Sequence, residues 1–260
     1  MYSNAIDSPD STASTNRGGL AKVEALTQTL KTETLKKQLK AVHELGEIGT
    51  AEADGALVTF LEQRNAINPV EDRAASWVGA CGSAYQSLCR ATSEVAKSYI
   101  EKTPVGIVTE RSERGVGYRD LQLLLVEQDY QAADKLTTEK MCAIAGENAI
   151  KRKWAYFTEV SQFPEADILT IDMLWRTYSE DKFGWSKQRE LWLRLGQDWD
   201  RLWPQINWKS AEGAWTRYPT EFDWNLDSAP VGHLPLFNQL RGVRVMNAML
   251  SHPVWTEEQA

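Results

Sequence analysis

Apolar residues recur at three- and four-residue spacing along most of the chain, and no stretch alternates for long enough to make a half-buried strand. That pattern predicts an all-α fold. Val23, Leu26 and Leu30 begin it, Leu121, Leu124 and Leu125 continue it, and Leu136, Met141 and Ile144 carry it to a turn at Gly146. Pro164 stands near a further helix start, followed by the stripe Ile168, Ile171, Trp175 and Tyr178. Gly184 breaks the chain, Ser186 is placed to cap the next helix, and Trp192, Leu195, Trp199 and Leu202 repeat the stripe. These stripes read as core.

Punctuation divides the chain in two. Residues 1–19 are rich in Ser and Thr, carry no hydrophobic segment and read as a disordered tail rather than a signal or transit peptide. Residues 20–112 read as a HEAT-like helical bundle, with helices only from Leu20 to about Glu101. Within them "AVHELGEIGTAEADGALVTFL", Ala41 to Leu61, has the form of a HEAT-like repeat: one helix, a Gly-containing turn, a second apolar helix. One such unit cannot bury both faces, so it must pack on neighbours in a small bundle. "TPVGIVTERSERGVG", Thr103 to Gly117, is rich in Gly and charge and reads as the linker to a second part, 113–260.

Composition removes several functions. With 29 basic and 36 acidic side chains the net charge is -7, which repels phosphate backbones, so no nucleic-acid partner is expected. No apolar run approaches the ~20 residues that cross a bilayer. Cys81, Cys89 and Cys142 lack CxxC spacing and read as reduced cytosolic thiols. His43, His233 and His252 are scattered without metal spacing, and no protein-bound metal is expected. His233 reads as a turn hydrogen-bonder. Glu159, Asp167, Asp172 and Glu180 read as surface carboxylates or caps with no fixed pair among them. Phosphate cradles and nucleophile elbows are absent from the sequence, so the chain is read as having no catalysis of its own.

Of 11 tryptophans, all but Trp77 lie after residue 150. Most read as core, but Trp215, Tyr218, Phe222 and Trp224 fall in a stretch, Trp208 to Leu234, that has little helical periodicity. Long loops this aromatic suggest a binding role. After Pro235 a helix is predicted, with Leu236, Leu240, Val243, Met246 and Leu250 on one arc. Arg241 and Arg244 lie outside it with Phe237 between them. Two guanidinium forks so placed suit paired carboxylates, and the aromatics an apolar ring.

From Tyr118 to about Trp255 the sequence resembles the Genomes Uncoupled Four family, in the cyanobacterial form with a HEAT-like preceding domain. The resemblance rests on "LLLVEQDYQAADKLT", "AIKRKWAYFTEVSQFP", "IDMLWRTYSEDKFGWSKQ", "WTRYPTEFDW" and "APVGHLPLFNQLRG", five elements in order. It implies a cupped all-α domain that binds protoporphyrin IX or Mg-protoporphyrin IX and regulates magnesium chelatase through that enzyme's large porphyrin-binding (H) subunit. It also implies a monomer, cytoplasmic with peripheral contact at the thylakoid membrane. Carried over by position, Leu136, Ile150, Arg152, Trp154, Phe157, Tyr218, Phe222 and Phe237 would line the cup, and Asn238, Arg241 and Arg244 would meet the propionates. Helical spacing separately allows Ile150, Trp154 and Phe157 to share a face. Two other readings stay open: a divergent relative binding another tetrapyrrole such as a bilin, and a carbohydrate-active protein using tryptophans to stack sugars.

Overall fold

The computed structural model describes residues 10–64, 66–210, 212–236 and 243–256, with side chains from residue 19 onward. The first part is a bundle of five helices: α1 (Asp10–Thr32), α2 (Leu35–Ile48), α3 (Ala51–Glu62), α4 (Val78–Arg90) and α5 (Glu94–Lys102). The predicted turn between α2 and α3 is built as its residues dictate. Gly49 takes φ +60° and closes α2, and the Thr50 hydroxyl accepts from Ala53 N to open α3. Helix α1 begins at Asp10, inside the stretch 1–19 read from the sequence as a tail, and residues 1–9 of that tail lie outside the described residues. Once the strong pattern from Leu20 is helical, each added upstream residue gains a hydrogen bond without a new nucleus.

The linker is a packed connection rather than a loose tether. Ile67 N donates to Ile107 O and Thr109 N to Ile67 O, both at 2.8 Å, and Ile107 and Val108 are buried. Beyond them Ser112 Oγ and Glu113 N both donate to the Asp167 carboxylate. The two parts then meet closely. A Cβ at Gly82 would lie 1.7 Å from Thr177 O, and one at Gly79 2.5 Å from the Glu180 backbone, so α4 lies directly on the chain at 177–181. Gln86 Nε2 reaches the carbonyls of Leu125 and Tyr178, and Arg176 donates to the carbonyls of Arg73 and Ala75.

The second part consists of α6 (Arg119–Val126), α7 (Tyr130–Ala145), α8 (Glu147–Arg152), α9 (Phe157–Val160), α10 (Glu165–Thr177), α11 (Trp185–Arg194), α12 (Trp199–Gln205) and α13 (Val243–Leu250), with a final 3-10 turn at Pro253–Trp255. Its centre is α10, whose predicted stripe Ile168, Ile171, Trp175 and Tyr178 is wholly buried. Among the described residues the fold is all-α. Its extended pairings there are two isolated bridges, Ile67 with Val108 and Lys209 with Trp215.

Two local expectations change. Ser186 does not cap α11: Gly184, at φ +130°, occupies that position and Ser186 lies inside the helix. The cap comes from across the core, where buried Asp172 of α10 accepts from Ser186 N at 2.8 Å. The helix predicted after Pro235 is described only from Val243, because residues 237–242 lie outside the described set.

Candidate functional site

One wall of the candidate site is α7 to α9. Asp129 caps α7 through Ala132 N, and Gly146 ends it at φ +103°. The short α8 stops where Lys153 takes φ +63°, with Lys153 N bonded to Ile150 O and Trp154 N to Ala149 O. This left-handed closure breaks the helical face on which Ile150, Trp154 and Phe157 were expected to lie together. They occupy a corner instead. Glu159 then opens α9 by accepting from Tyr156 N at 2.7 Å while pairing with Arg152 at 2.6 Å. Burial works against ionising Glu159, but these two donors outweigh it and hold its pKa below the usual range. The Arg152 guanidinium lies over the rings of Trp154 and Tyr156, 5.0 and 4.4 Å from their centroids. Arg152 thus stiffens the corner, leaving Ile150 53% exposed, Tyr156 44% and Phe157 38%. Leu136 sits half-buried on α7.

The other wall follows α12. Trp192, Trp199, Trp203 and Trp208 stack in sequence with centroids 4.8, 5.1 and 5.6 Å apart, so these tryptophans are occupied with one another. On this base the loop 215–236 is held by side chains from several elements. His233 is 1% exposed and uses both ring nitrogens, Nδ1 at 2.7 Å from Ile206 O and Nε2 accepting from Asp223 N at 3.2 Å. Burial lowers its pKa, so the neutral ring with Nδ1–H is the form that fits, and the predicted turn role holds. Gln188 Nε2 donates to the carbonyls of Gly232 and Pro235. Phe222, expected against a ligand ring, is buried at 6% among Tyr218, Trp224, Trp208 and His233. Tyr218 stands out at 42%.

The walls meet where α13 returns. Val243 and Arg244 are exposed, and the Arg244 guanidinium lies 5.8 Å from the Phe157 ring. A cleft of about 540 Å³ lies here between α9 and α13, lined by Phe157, Ser161, Val243, Arg244, Asn247 and Ala248. That size suits a small-molecule site, for which ~300 to 1,000 Å³ is usual. Two larger clefts, about 820 and 640 Å³, lie beside His43, Glu47, Arg90 and Trp224 and beside Arg73, Asp172 and Arg189, and hold none of the expected site residues. Phe237, Asn238 and Arg241 lie outside the described residues. Tyr156 and Asn247 join the site without having been singled out in the sequence, and Val243, read there only as part of an apolar arc, lines the cleft at 41% exposure.

The four carboxylates noted in the sequence have separate structural partners: Glu159 with Arg152, Asp167 with Ser112 and Tyr118, Asp172 with Ser186 N, and Glu180 with His43 at 2.8 Å. Among the described residues no three His, Cys, Asp or Glu side chains are grouped to hold a metal ion, and no helix is long and apolar enough to cross a membrane.

Comparison with known proteins bears on the same half of the chain. A family model described as GUN4-like matches residues 111–253. A Ycf53-like protein of Synechocystis is 43% identical over 233 residues, covering 89% of this chain and 96% of that protein. A chloroplastic tetrapyrrole-binding protein of Arabidopsis thaliana is 37% identical over 138 residues, 50% of this chain and 52% of that protein. The solved structure of GUN4 from Chlamydomonas reinhardtii superposes with a TM-score of 0.54 at 35% identity, over 58% of this chain and 95% of that one. With its family match spanning more than half its length and a relative aligned over nearly all of it, the chain belongs to the GUN4-like family.

Proposed function

We propose that this protein binds protoporphyrin IX and its magnesium complex in the cup between the α7–α9 corner and the α12–α13 wall. In this reading it has no catalysis of its own and stimulates magnesium chelatase through that enzyme's porphyrin-binding H subunit. The observation that carries the binding is the apolar surface left open on the two walls, Ile150, Tyr156, Phe157, Tyr218 and Val243, each at least 38% exposed, with the Arg244 guanidinium 5.8 Å from the Phe157 ring. Exposed apolar patches mark ligand grooves and interaction sites, and ligand pockets combine apolar walls with a few placed polar groups. The residues fit the ligand. A porphyrin is a flat apolar ring with acidic arms, and the guanidinium fork of Arg244 suits a propionate at the rim. The named tetrapyrrole-binding relative in Arabidopsis supports the same ligand class. Binding is assigned to 113–260, with the bundle of 20–112 as its support.

Titration with protoporphyrin IX tests the reading. The expected result is a shifted Soret band with quenched tryptophan fluorescence, and a weaker response to the dimethyl ester. A chain that changes neither signal does not bind porphyrin in this cup. A chelatase assay with purified H subunit tests the partner separately, the expected outcome being a higher rate at limiting H subunit.

A further inference from the structure

Asp134 takes no part in the ring contacts proposed above, yet it is the polar side chain that joins the two walls. It lies on α7 at 2% exposure, on the same buried stripe as Tyr130, Thr137 and Met141. Its Oδ1 accepts from Leu236 N at 2.6 Å, across 102 residues of sequence. The Tyr218 hydroxyl, from the opposite wall, acts electrostatically on the same carboxyl. One carboxyl on α7 therefore holds the loop through its Leu236 amide. A buried carboxyl without a cation is costly, and no lysine, arginine or histidine among the described residues acts on it. The lysines of the same helix are engaged elsewhere: Lys140 pairs with Asp120 at 2.7 Å and Lys135 faces solvent, while the neutral His233 of the loop is held by Ile206 O and Asp223 N.

We propose that Asp134 is a positioning residue that sets the separation of the two walls by fixing Leu236 to α7, and so tunes tetrapyrrole affinity without touching the ring. The proposal rests on the cup being the tetrapyrrole site. Its pH dependence has a defined sign. Burial pushes the carboxyl up to about 7 from 3.8, against the Leu236 amide and the Tyr218 hydroxyl that favour ionisation, so the joined state holds a proton that an opened, hydrated carboxyl would release. Joining is thus favoured below about pH 4, weakens as pH rises toward 7, and is level above it.

The test compares wild type with Asp134→Asn and Asp134→Leu. Asn keeps an oxygen for Leu236 N and cannot ionise, whereas Leu removes the bond. Two readouts are needed. Amide exchange at Leu236, corrected for intrinsic rate, requires no ligand. Affinity for protoporphyrin IX dimethyl ester between pH 5.5 and 8 is free of propionate titration. The expected results are that Leu lowers Leu236 protection at least tenfold and weakens the ester several-fold. Wild-type affinity should fall several-fold as pH rises, and the Asn profile should be flat. Should the Leu variant fail to fold, the flat profile of Asn against the sloping wild type carries the test. Equal pH profiles in wild type and Asn would overturn the proposal, as would lost Leu236 protection with unchanged affinity. If wild type binds no porphyrin, the ligand assignment fails, while Leu236 exchange still reports whether Asp134 joins the walls.

Discussion

The two walls of the cup are held by different kinds of bond. The α7–α9 corner is local: Glu159, Arg152, Trp154 and Tyr156 lie within eight residues and fix one another. The loop 215–236 has few helical hydrogen bonds and depends on distant residues, with Asp134, Gln188 and Ile206 all anchoring it. A side chain on the first wall can therefore point at solvent and serve a ligand while the fold rests on others. A side chain on the second wall is more often part of what keeps the loop in place.

Phe222 and Phe157 make the sharpest contrast. Phe222 lies inside the aromatic cluster, so Phe222→Ala should destabilise the protein by ~3 to 4 kcal/mol in chemical denaturation, the usual cost of emptying a buried aromatic site. Loss of porphyrin affinity with unchanged stability would instead make it a ligand contact and erase the contrast. Phe157→Ala should cost ~1 to 2 kcal/mol in porphyrin binding, the loss of one large apolar contact, with stability held within ~1 kcal/mol. The measurement is a Soret titration beside a denaturant curve, and a stability loss as large as that of Phe222→Ala would place Phe157 in the core.

Arg244 at the rim should matter less. Arg244→Ala is expected to weaken the free-acid porphyrin by ~0.5 to 1 kcal/mol and hardly affect the dimethyl ester, since a wet rim screens the pair. Equal losses for acid and ester would reduce the arginine to packing on Phe157. The smallest expected effect is on pH. The fold holds His233 neutral, so its stabilising contribution is present above 6.5 and lost as pH falls below it toward the lowered native value. His233→Asn should flatten that part of the stability profile measured by thermal melts. Asp134 contributes the opposite slope in both proteins and cancels from the difference. An unchanged slope would mean that His233 does not hold the loop in its neutral form.

Sequence and structure agree where periodicity governs. The stripe of α10 and the turn between α2 and α3 could be read from spacing and from Gly49, because each depends on residues a few positions apart. The devices that shape the site are of another kind. Lys153 ends α8 with neither Gly nor Pro to announce it, and the cap of α11 comes from Asp172, 14 residues away on another helix. Asp134 left one trace. A carboxylate at the spacing of Tyr130, Thr137 and Met141 is misplaced for a solvated residue, and that misplacement is a signal of a buried partner. Phe222 could be recognised as aromatic and in a loop, but whether it packs on a ligand or on Trp208 and His233 depends on how the loop closes.

Amide hydrogen exchange with and without protoporphyrin IX, followed by mass spectrometry, tests the cup itself. New protection in peptides covering 147–161 and 215–250, with α2 to α5 unchanged, is the predicted result. Protection centred instead on the cleft beside His43, Glu47 and Arg90, or none in either wall under saturating porphyrin, would contradict the account.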